Sequence, residues 1–216
     1  MTGGEEMRLT VIGTGYLGAT HAACMAELGR SFLDAGAGFG GGCLPKDLRA
    51  LAAVADESGS HGCAGLLRQV DDINLRCRTR VADRVKRAVG GTLVGIRVAV
   101  LGAAFKPGSD DVRDSPSLAI AQRLSDDGAD VVVCDPVAAD NARRARPDLT
   151  RPSGLAEAVK GADAVVLATP WPQFRSLAPR SLEGLVARRI LIDARNTLDP
   201  AVWRSAGWTF HAMGRV

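Results

Sequence analysis

No apolar run in this 216-residue sequence approaches the roughly 20 residues that a membrane-spanning helix needs. No two of its five cysteines (Cys24, Cys43, Cys63, Cys77 and Cys134) have C-x-x-C spacing, and the count is odd. That argues against a disulfide framework and against a zinc site, so no metal is expected. No sign of charge dominates. The 27 Lys and Arg are interleaved with 24 Asp and Glu, and a formal net charge of +3 describes a solvated surface rather than a nucleic-acid footprint. The first residues, MTGGEEMRLTVIG, are acidic before the first apolar run and do not read as a secretory signal. These absences leave a cytoplasmic protein with no nucleic-acid or membrane partner. With 46% hydrophobic and 24% charged residues, its composition is that of an ordinary globular chain.

A further absence is local. Arg8–Ile12 is a short apolar strand that runs into Gly13-Thr14-Gly15-Tyr16-Leu17-Gly18 and then a helical segment ending near Gly29. Strand, G-x-G-x-x-G turn and helix open a dinucleotide-binding unit, in which a pyrophosphate rests on the amides of the helix N-terminus. Such a unit needs a second strand ending in an acid about 20 residues past the glycines, to hold a ribose. Here residues 31–43 are glycine-rich and carry no β-branched run, and Asp34 is their only acid. The unit starts and stops after one strand and one helix.

In place of a second strand the chain has GFGGGCLPKD, with five glycines in the eight residues before Cys43. Four of the cysteines fall in apolar or helical patterns, where a buried thiol is expected; Cys43 sits in a loop. From Leu44 the pattern is helical, with Pro45 suited to the first turn, Asp47 to the helix dipole, and Leu48, Leu51, Ala52 and Ala55 forming a stripe. After Ser58-Gly59-Ser60, residues 64–88 read as one long helix with Leu66, Leu67, Val70, Ile73, Val81 and Val85 on one side. Its length suits either a core helix or a connecting helix that packs against its copy in a dimer.

From Arg97 strands alternate with helices. The strands are RVAVL, then segments ending at Asp135, Thr169 and Arg195, and a last short one in WTFHAMG. The helices run from the Ser115-Pro116 cap to about Asp127, over 138–146 and over 155–160. This alternation predicts a parallel sheet covered by helices on both faces, with ligands at the carboxyl ends of the strands. Phe105, Lys106 and Arg195 lie at those ends.

Four stretches (VIGTGYLG, GFGGGCLPKD, LGAAFKPGSDDVRDSP and DARN) together resemble the UDP-glucose 6-dehydrogenase family, which also includes UDP-N-acetylmannosamine and GDP-mannose dehydrogenases. The resemblance implies an α/β chain in three parts. Residues 1–30 would be the remnant of a Rossmann NAD domain reduced to one β-α unit. Residues 31–91 would carry the cysteine loop and a long dimerisation helix (64–88), making a homodimer. Residues 92–216 would be a Rossmann-like, UDP-binding domain. The family oxidises the C6 alcohol of a UDP-sugar to a carboxylate with two NAD⁺, through a cysteine thiohemiacetal and thioester, for polysaccharide precursors. By that resemblance Cys43 is the nucleophile and Asp47 helps activate water. Gly13, Gly15, Tyr16, Leu17, Gly18, Lys46 and Arg113 meet NAD. Asp34, Ala35, Gly36, Ala37, Gly38, Phe39, Gly40, Phe105, Lys106 and Arg195 meet the sugar nucleotide. A helix N-terminus and Lys46 would both favour the Cys43 thiolate. Taken alone, Phe105 reads equally well as core, Asp47 as a partner of the helix dipole, and Arg113 as half of a surface ion pair. The family's large segment between the two glycine motifs, with its catalytic Thr, Glu, Lys and Asn, is missing. The chain is therefore expected to be inactive on its own, and a non-catalytic nucleotide-sugar-binding module or dimerisation fragment is the alternative.

Overall fold

The computed structural model describes residues 36–149, 152 and 154–214. The chain divides into two units, Met1–Ala35 and Gly36–Val216, and the described residues belong to the second. The β-α unit expected within residues 8–29, with its Cys24, lies outside them.

Among the described residues five strands form one sheet: β1 (Arg97–Leu101), β2 (Asp130–Cys134), β3 (Ala164–Leu167), β4 (Ile190–Asp193) and β5 (Thr209–Ala212). Their order is β2-β1-β3-β4-β5, and every neighbouring pair is parallel. All of β3 and β4, and all but the first residue of β1 and β2, are buried. Strands covered on both faces read as unbroken β-branched runs such as VVVC and AVVL rather than as alternation. The strand order steps outward from β1 in both directions. Right-handed crossovers therefore place the connecting helices on opposite faces of the sheet.

Among the described residues eight helices accompany the strands. α1 (Leu44–Glu57) and α2 (His61–Val89) precede the sheet, and α2 ends on Gly90 in the left-handed conformation a C-terminal cap favours. α3 (Pro116–Asp126) starts as expected, with Ser115 Oγ accepting from the Leu118 amide. α4 (Ala139–Ala145) and α5 (Leu155–Val159) fall where the sequence pattern puts them. α6 (Pro172–Arg175), α7 (Pro179–Leu182) and α8 (Pro200–Ser205) were not expected. Each starts on a proline and is too short to show a helical period.

α2 has two different halves. Val81, Ala82, Val85 and Val89 are buried in the core with the sheet, and Arg188 Nη1 donates to the Val89 carbonyl at 3.0 Å. In the first half Leu66, Val70 and Ile73 are exposed, as are Leu51 and Val54 of α1. The apolar side predicted for 64–88 is thus core at one end only, because the first half of α2 packs on α1 and not on the sheet. Ala52 and Ala55 of the α1 stripe are buried, but Leu51 is not.

Candidate functional site

The strand order reverses between β1 and β3, and the crevice at their carboxyl ends is where open α/β sheets hold ligands. Here the chain's own polar groups fill its floor. The Asp135 carboxylate, just past β2, accepts at Oδ2 from the Ala103 amide (2.6 Å), the Ala104 amide (3.0 Å) and Trp171 Nε1 (3.0 Å). At Oδ1 it accepts from the amides of Val137 (2.9 Å) and Ala138 (2.7 Å). Burial opposes its charge, but the amides outweigh burial and hold the carboxyl below its ordinary range. Thr169 Oγ1 donates to the Ala104 carbonyl at 2.7 Å and lies 2.9 Å from Ser117 Oγ; Ser115 Oγ donates to the Ala103 carbonyl at 2.6 Å. Gly102 has φ +116° and no room for a side chain, since an added Cβ would lie 2.5 Å from the Thr169 nitrogen. The Ala103 and Ala104 amides, in the turn that in a dinucleotide fold receives a phosphate, are already committed. A ligand at this end must be held further out, along the long β1–α3 loop.

That loop meets residues 36–43. Gly38 and Gly41 have φ of +98° and +91°. Asn74 of α2 takes both polar groups of Phe39: its Oδ1 accepts from the Phe39 amide at 2.7 Å, and its Nδ2 donates to the Phe39 carbonyl at 3.1 Å. Arg78, one helical turn on, donates to the same carbonyl at 3.0 Å and to Asp114 Oδ1 at 2.8 Å. Arg49 of α1 donates to Asp114 Oδ2 at 2.9 Å and to Asp71 at 2.7 Å. Burial raises the Asp114 carboxyl, but the two guanidinium groups more than offset this and keep it low. Asp114 has φ +48°, a conformation that Asp tolerates better than most residues. The Gly41 amide donates to the Arg113 carbonyl at 2.9 Å, and Ala37 is buried in the core. A Cβ at Gly36 would strike the Arg195 guanidinium, one at Gly41 the Phe105 ring, and one at Gly42 the Arg113 guanidinium. The firm demands for glycine are the positive φ at Gly38 and Gly41 and the Asp114 carbonyl against Gly40; at Gly36 and Gly42 the neighbours are the movable ends of arginines.

Cys43 ends this loop as the residue before α1 and is exposed. Its carbonyl accepts from the Asp47 amide at 2.8 Å. Lys46 Nζ lies 3.2 Å from Asp47, both side chains well exposed, so the positive charge assigned to Lys46 is largely cancelled locally. Arg113 interacts electrostatically with the Cys43 sulfur but is clasped by Asp111, at 3.0 Å from Nε and 2.7 Å from Nη2. Hydrogen bonding to Arg113 holds the Asp111 carboxyl low. Cys134 is buried beside Asp135, and its thiol is pushed up to about 11, mainly by burial. Cys63 is exposed and Cys77 half-buried, against the expectation of buried thiols; both precede Val81, where the core-packed run of α2 begins.

The UDP-binding domain of the UDP-glucose/GDP-mannose dehydrogenase family matches residues 99–200, and the central domain of the same family matches residues 16–76. The chain belongs to the UDP-glucose/GDP-mannose dehydrogenase family. It is 34% identical to a UDP-glucose 6-dehydrogenase of Rickettsia conorii over 190 residues, which are 87% of this chain and 44% of that protein. Among solved structures, a UDP-glucose dehydrogenase from Pyrobaculum islandicum superposes with a TM-score of 0.67 at 29% identity, covering 91% of this chain and 42% of that one. An NDP-N-acetyl-D-galactosaminuronic acid dehydrogenase from Methanosarcina mazei gives 0.70 at 28% identity, over 83% and 39%. The chain spans less than half the length of these relatives.

Of the residues that the family resemblance singles out, Gly13, Gly15, Tyr16, Leu17, Gly18, Asp34 and Ala35 lie outside the described residues. The rest gather around one loop. Gly36 meets Arg195 from the end of β4; Gly41 meets Phe105, whose ring has Lys106 Nζ 5.5 Å from its centre; Gly42 meets Arg113. Phe105 is half-buried against the loop, Asp47 occupies the first turn of α1, and Arg113 is in a surface ion pair. For Asp47 and Arg113 the plain structural readings are the ones the structure shows. Asn74, Arg78, Asp114 and Asp135 were missed. The available signal was Asn74 and Arg78 four apart on one helix face, and an aspartate closing an apolar strand.

Proposed function

We propose that residues 36–214 are the nucleotide-sugar-binding, cysteine-bearing part of an NAD-dependent UDP-sugar 6-dehydrogenase, and that this chain binds nucleotide sugar without completing the oxidation. The observation that supports the reading is the convergence of Arg195, Phe105 and Arg113 on the glycine loop that ends in Cys43. Arg195 and Lys106 would meet the nucleotide's anionic groups, Phe105 would flank the sugar, and the loop from Asp34 to Gly40 would wrap it. In the complete reaction the C6 alcohol loses two hydrides in turn. The Cys43 sulfur adds to the intermediate aldehyde, the resulting thiohemiacetal is oxidised to a thioester, and water, activated with the help of Asp47, releases the carboxylate. NAD supplies the hydride acceptor. For Lys46 and Arg113 to meet its phosphates, each would have to turn from its present ion-pair partner, Asp47 or Asp111.

Isothermal titration tests this directly. UDP and UDP-glucose should bind and NAD should not, and no NADH absorbance should develop with both present. Steady NADH production lost in Cys43→Ala would show a complete enzyme; failure to bind any of UDP, UDP-glucose or GDP-mannose would sink both parts of the proposal. The sugar is left to the same titration, since relatives are named for more than one. The exposed Leu66, Val70 and Ile73, with Leu51 and Val54, support a homodimer through the 64–88 helix. Ile73→Glu should then sediment as a monomer.

A further inference from the structure

Several features of the molecule lie outside the catalytic sequence just described, and most belong to its scaffold. The Asn74–Arg78–Asp114 group does not. It reaches across 35 residues or more to the backbone of the glycine loop, and two of its three members are buried polar side chains on a helix that has no other polar burial. Burying an amide and a guanidinium is costly unless both are satisfied. Here the Asn74 amide spends its hydrogen bonds on Phe39, and both Arg78 Nη atoms spend theirs on Phe39 and Asp114, while Arg78 Nε is buried without a hydrogen-bond partner.

We propose that Asn74, Arg78 and Asp114 are positioning residues that pre-set the residue 36–42 loop and so present Cys43 at the start of α1, with no nucleotide needed to order it. The functional weight of this rests on Cys43 being the nucleophile proposed above; the ordering itself does not. Phe39 is the pivot. Its amide and carbonyl are both taken by α2, so the backbone on either side is free only in the glycines. From that pivot the Gly41 amide reaches the Arg113 carbonyl, next to Asp114. Asp114 in turn joins Arg78 of α2 to Arg49 of α1, the helix that Cys43 precedes. The loop is thereby tied to the helix before which the thiol stands and to the helix behind it. A loop with this many glycines would otherwise sample many conformations, and an enzyme gains by fixing its reacting group beforehand.

The test uses the full chain without ligand and two readouts. One is hydrogen–deuterium exchange of peptides covering 36–43, with peptides of β1 and β3 as internal reference. The other is the iodoacetamide labelling ratio of Cys43 to Cys63, both exposed. Asn74→Ala should raise exchange in the loop by about tenfold or more while the strand peptides stay within about twofold. It should also lower the Cys43 to Cys63 ratio about threefold, as the first turn of α1 frays and the positive end of the helix is no longer held at Cys43, the residue that precedes it. Asn74→Asp keeps an acceptor for the Phe39 amide while Arg78 still serves the carbonyl, so it should restore the exchange to within about threefold, and the labelling ratio to within about 1.5-fold, of wild type. A merely structural defect would not be rescued in this local way. If Asn74→Ala loosens the strands as well, Arg78→Lys decides by the same readouts, because it keeps the charge facing Asp114 but not the fork that reaches Phe39. An unprotected loop in the wild-type chain, or unchanged readouts in the deciding variant, overturns the proposal. Failure of UDP-glucose to bind would instead refute the nucleotide-sugar reading and leave this one standing.

Discussion

Asp135 and Asp114 are both aspartates that organise a backbone turn around the candidate site, and they do it by opposite means. Asp135 is buried at the carboxyl end of the sheet and faces only neutral donors: four amides and an indole. Asp114 is half-buried at the glycine loop and faces two charged guanidinium groups. The first arrangement belongs to a part of the molecule that must not move, since it joins β2, the turn after β1 and the segment after β3. The second joins two helices and two loops at the edge of the core, where partial solvation keeps the ion pairs weak and adjustable. A buried ion makes a scaffold if every donor is aimed at it; a half-buried aspartate that bridges one buried and one exposed guanidinium makes a positioning device.

The contrast is broken most directly at Asp135. Asp135→Ala leaves five donors without their acceptor in a site largely closed to water. Each unmade bond costs about 1 kcal/mol or more, and the group should cost on the order of 3–5 kcal/mol. That is a large share of a domain's total stability. Urea unfolding should show a midpoint shifted far down, or an insoluble product. A loss below about 1 kcal/mol would mean water replaces the carboxylate, and the crevice floor is open after all.

The same two regions differ in their thiols. Cys134 adjoins Asp135, is buried, and has its thiol pushed up to about 11; Cys43 adjoins the loop and is exposed. Alkylation goes through the thiolate and needs access. Iodoacetamide near neutral pH should therefore modify Cys43 at least about a hundredfold faster than Cys134. Cys63 should come next and Cys77 should lag, which peptide mass mapping after a short pulse can read. Equal labelling at Cys43 and Cys134 would show that the sheet's end is not closed.

How far each region was legible from sequence depends on the range of its contacts. VVVC, AVVL and ILID announce buried parallel strands by composition alone, and Ser115-Pro116 announces a helix start by two adjacent residues. Cys43 among its glycines announces a reacting loop. The side chains that meet those glycines lie far off in sequence: Phe105 and Arg113 in one loop, Arg195 after β4, Asn74 in mid-helix. No local pattern couples Asn74 to Phe39 or Asp135 to Ala103. The helical period of 64–88 was visible, but not that its face is core only from Val81 onward, because that depends on where the sheet ends. The helices at Pro172, Pro179 and Pro200 were too short for any period to speak.

Acid separates the regions by a smaller amount. The Asp135 carboxyl is held below its ordinary value of about 3.9, so it binds its proton less readily folded than unfolded. Its contribution to stability is therefore present above about pH 4 and is lost as pH falls through that value toward the folded one. Asp135→Asn removes this titration. Between about pH 5 and pH 3 the variant's stability should fall less steeply than wild type, by up to about 1.4 kcal/mol per pH unit, the limit for one proton. Parallel acid limbs would mean that Asp135 titrates alike in both states. Asp114, also held low, titrates in the same direction and remains in the variant, so some slope should persist.

Salt should give the smallest effect and the cleanest separation. Asp114→Asn keeps the shape of the side chain and its tolerance of positive φ, but removes the charge that faces Arg78 and Arg49. Arg49 is well exposed, so its share is worth a few tenths of a kcal/mol; Arg78 is nearly buried, so its share is larger. A total near 1 kcal/mol, roughly, is expected at low ionic strength. Raising sodium chloride from about 0.05 M to about 0.5 M shortens the screening length to a few ångströms and should erase the Arg49 share, leaving roughly two thirds of the loss. The cost of Asp135→Ala, which involves no opposing charge, should not change over the same range. Urea titrations of the wild type and both variants at the two salt concentrations supply the comparison. If the Asp114→Asn cost is independent of salt, Asp114 acts as a hydrogen-bond acceptor whose charge is immaterial. The two aspartates would then differ in burial alone.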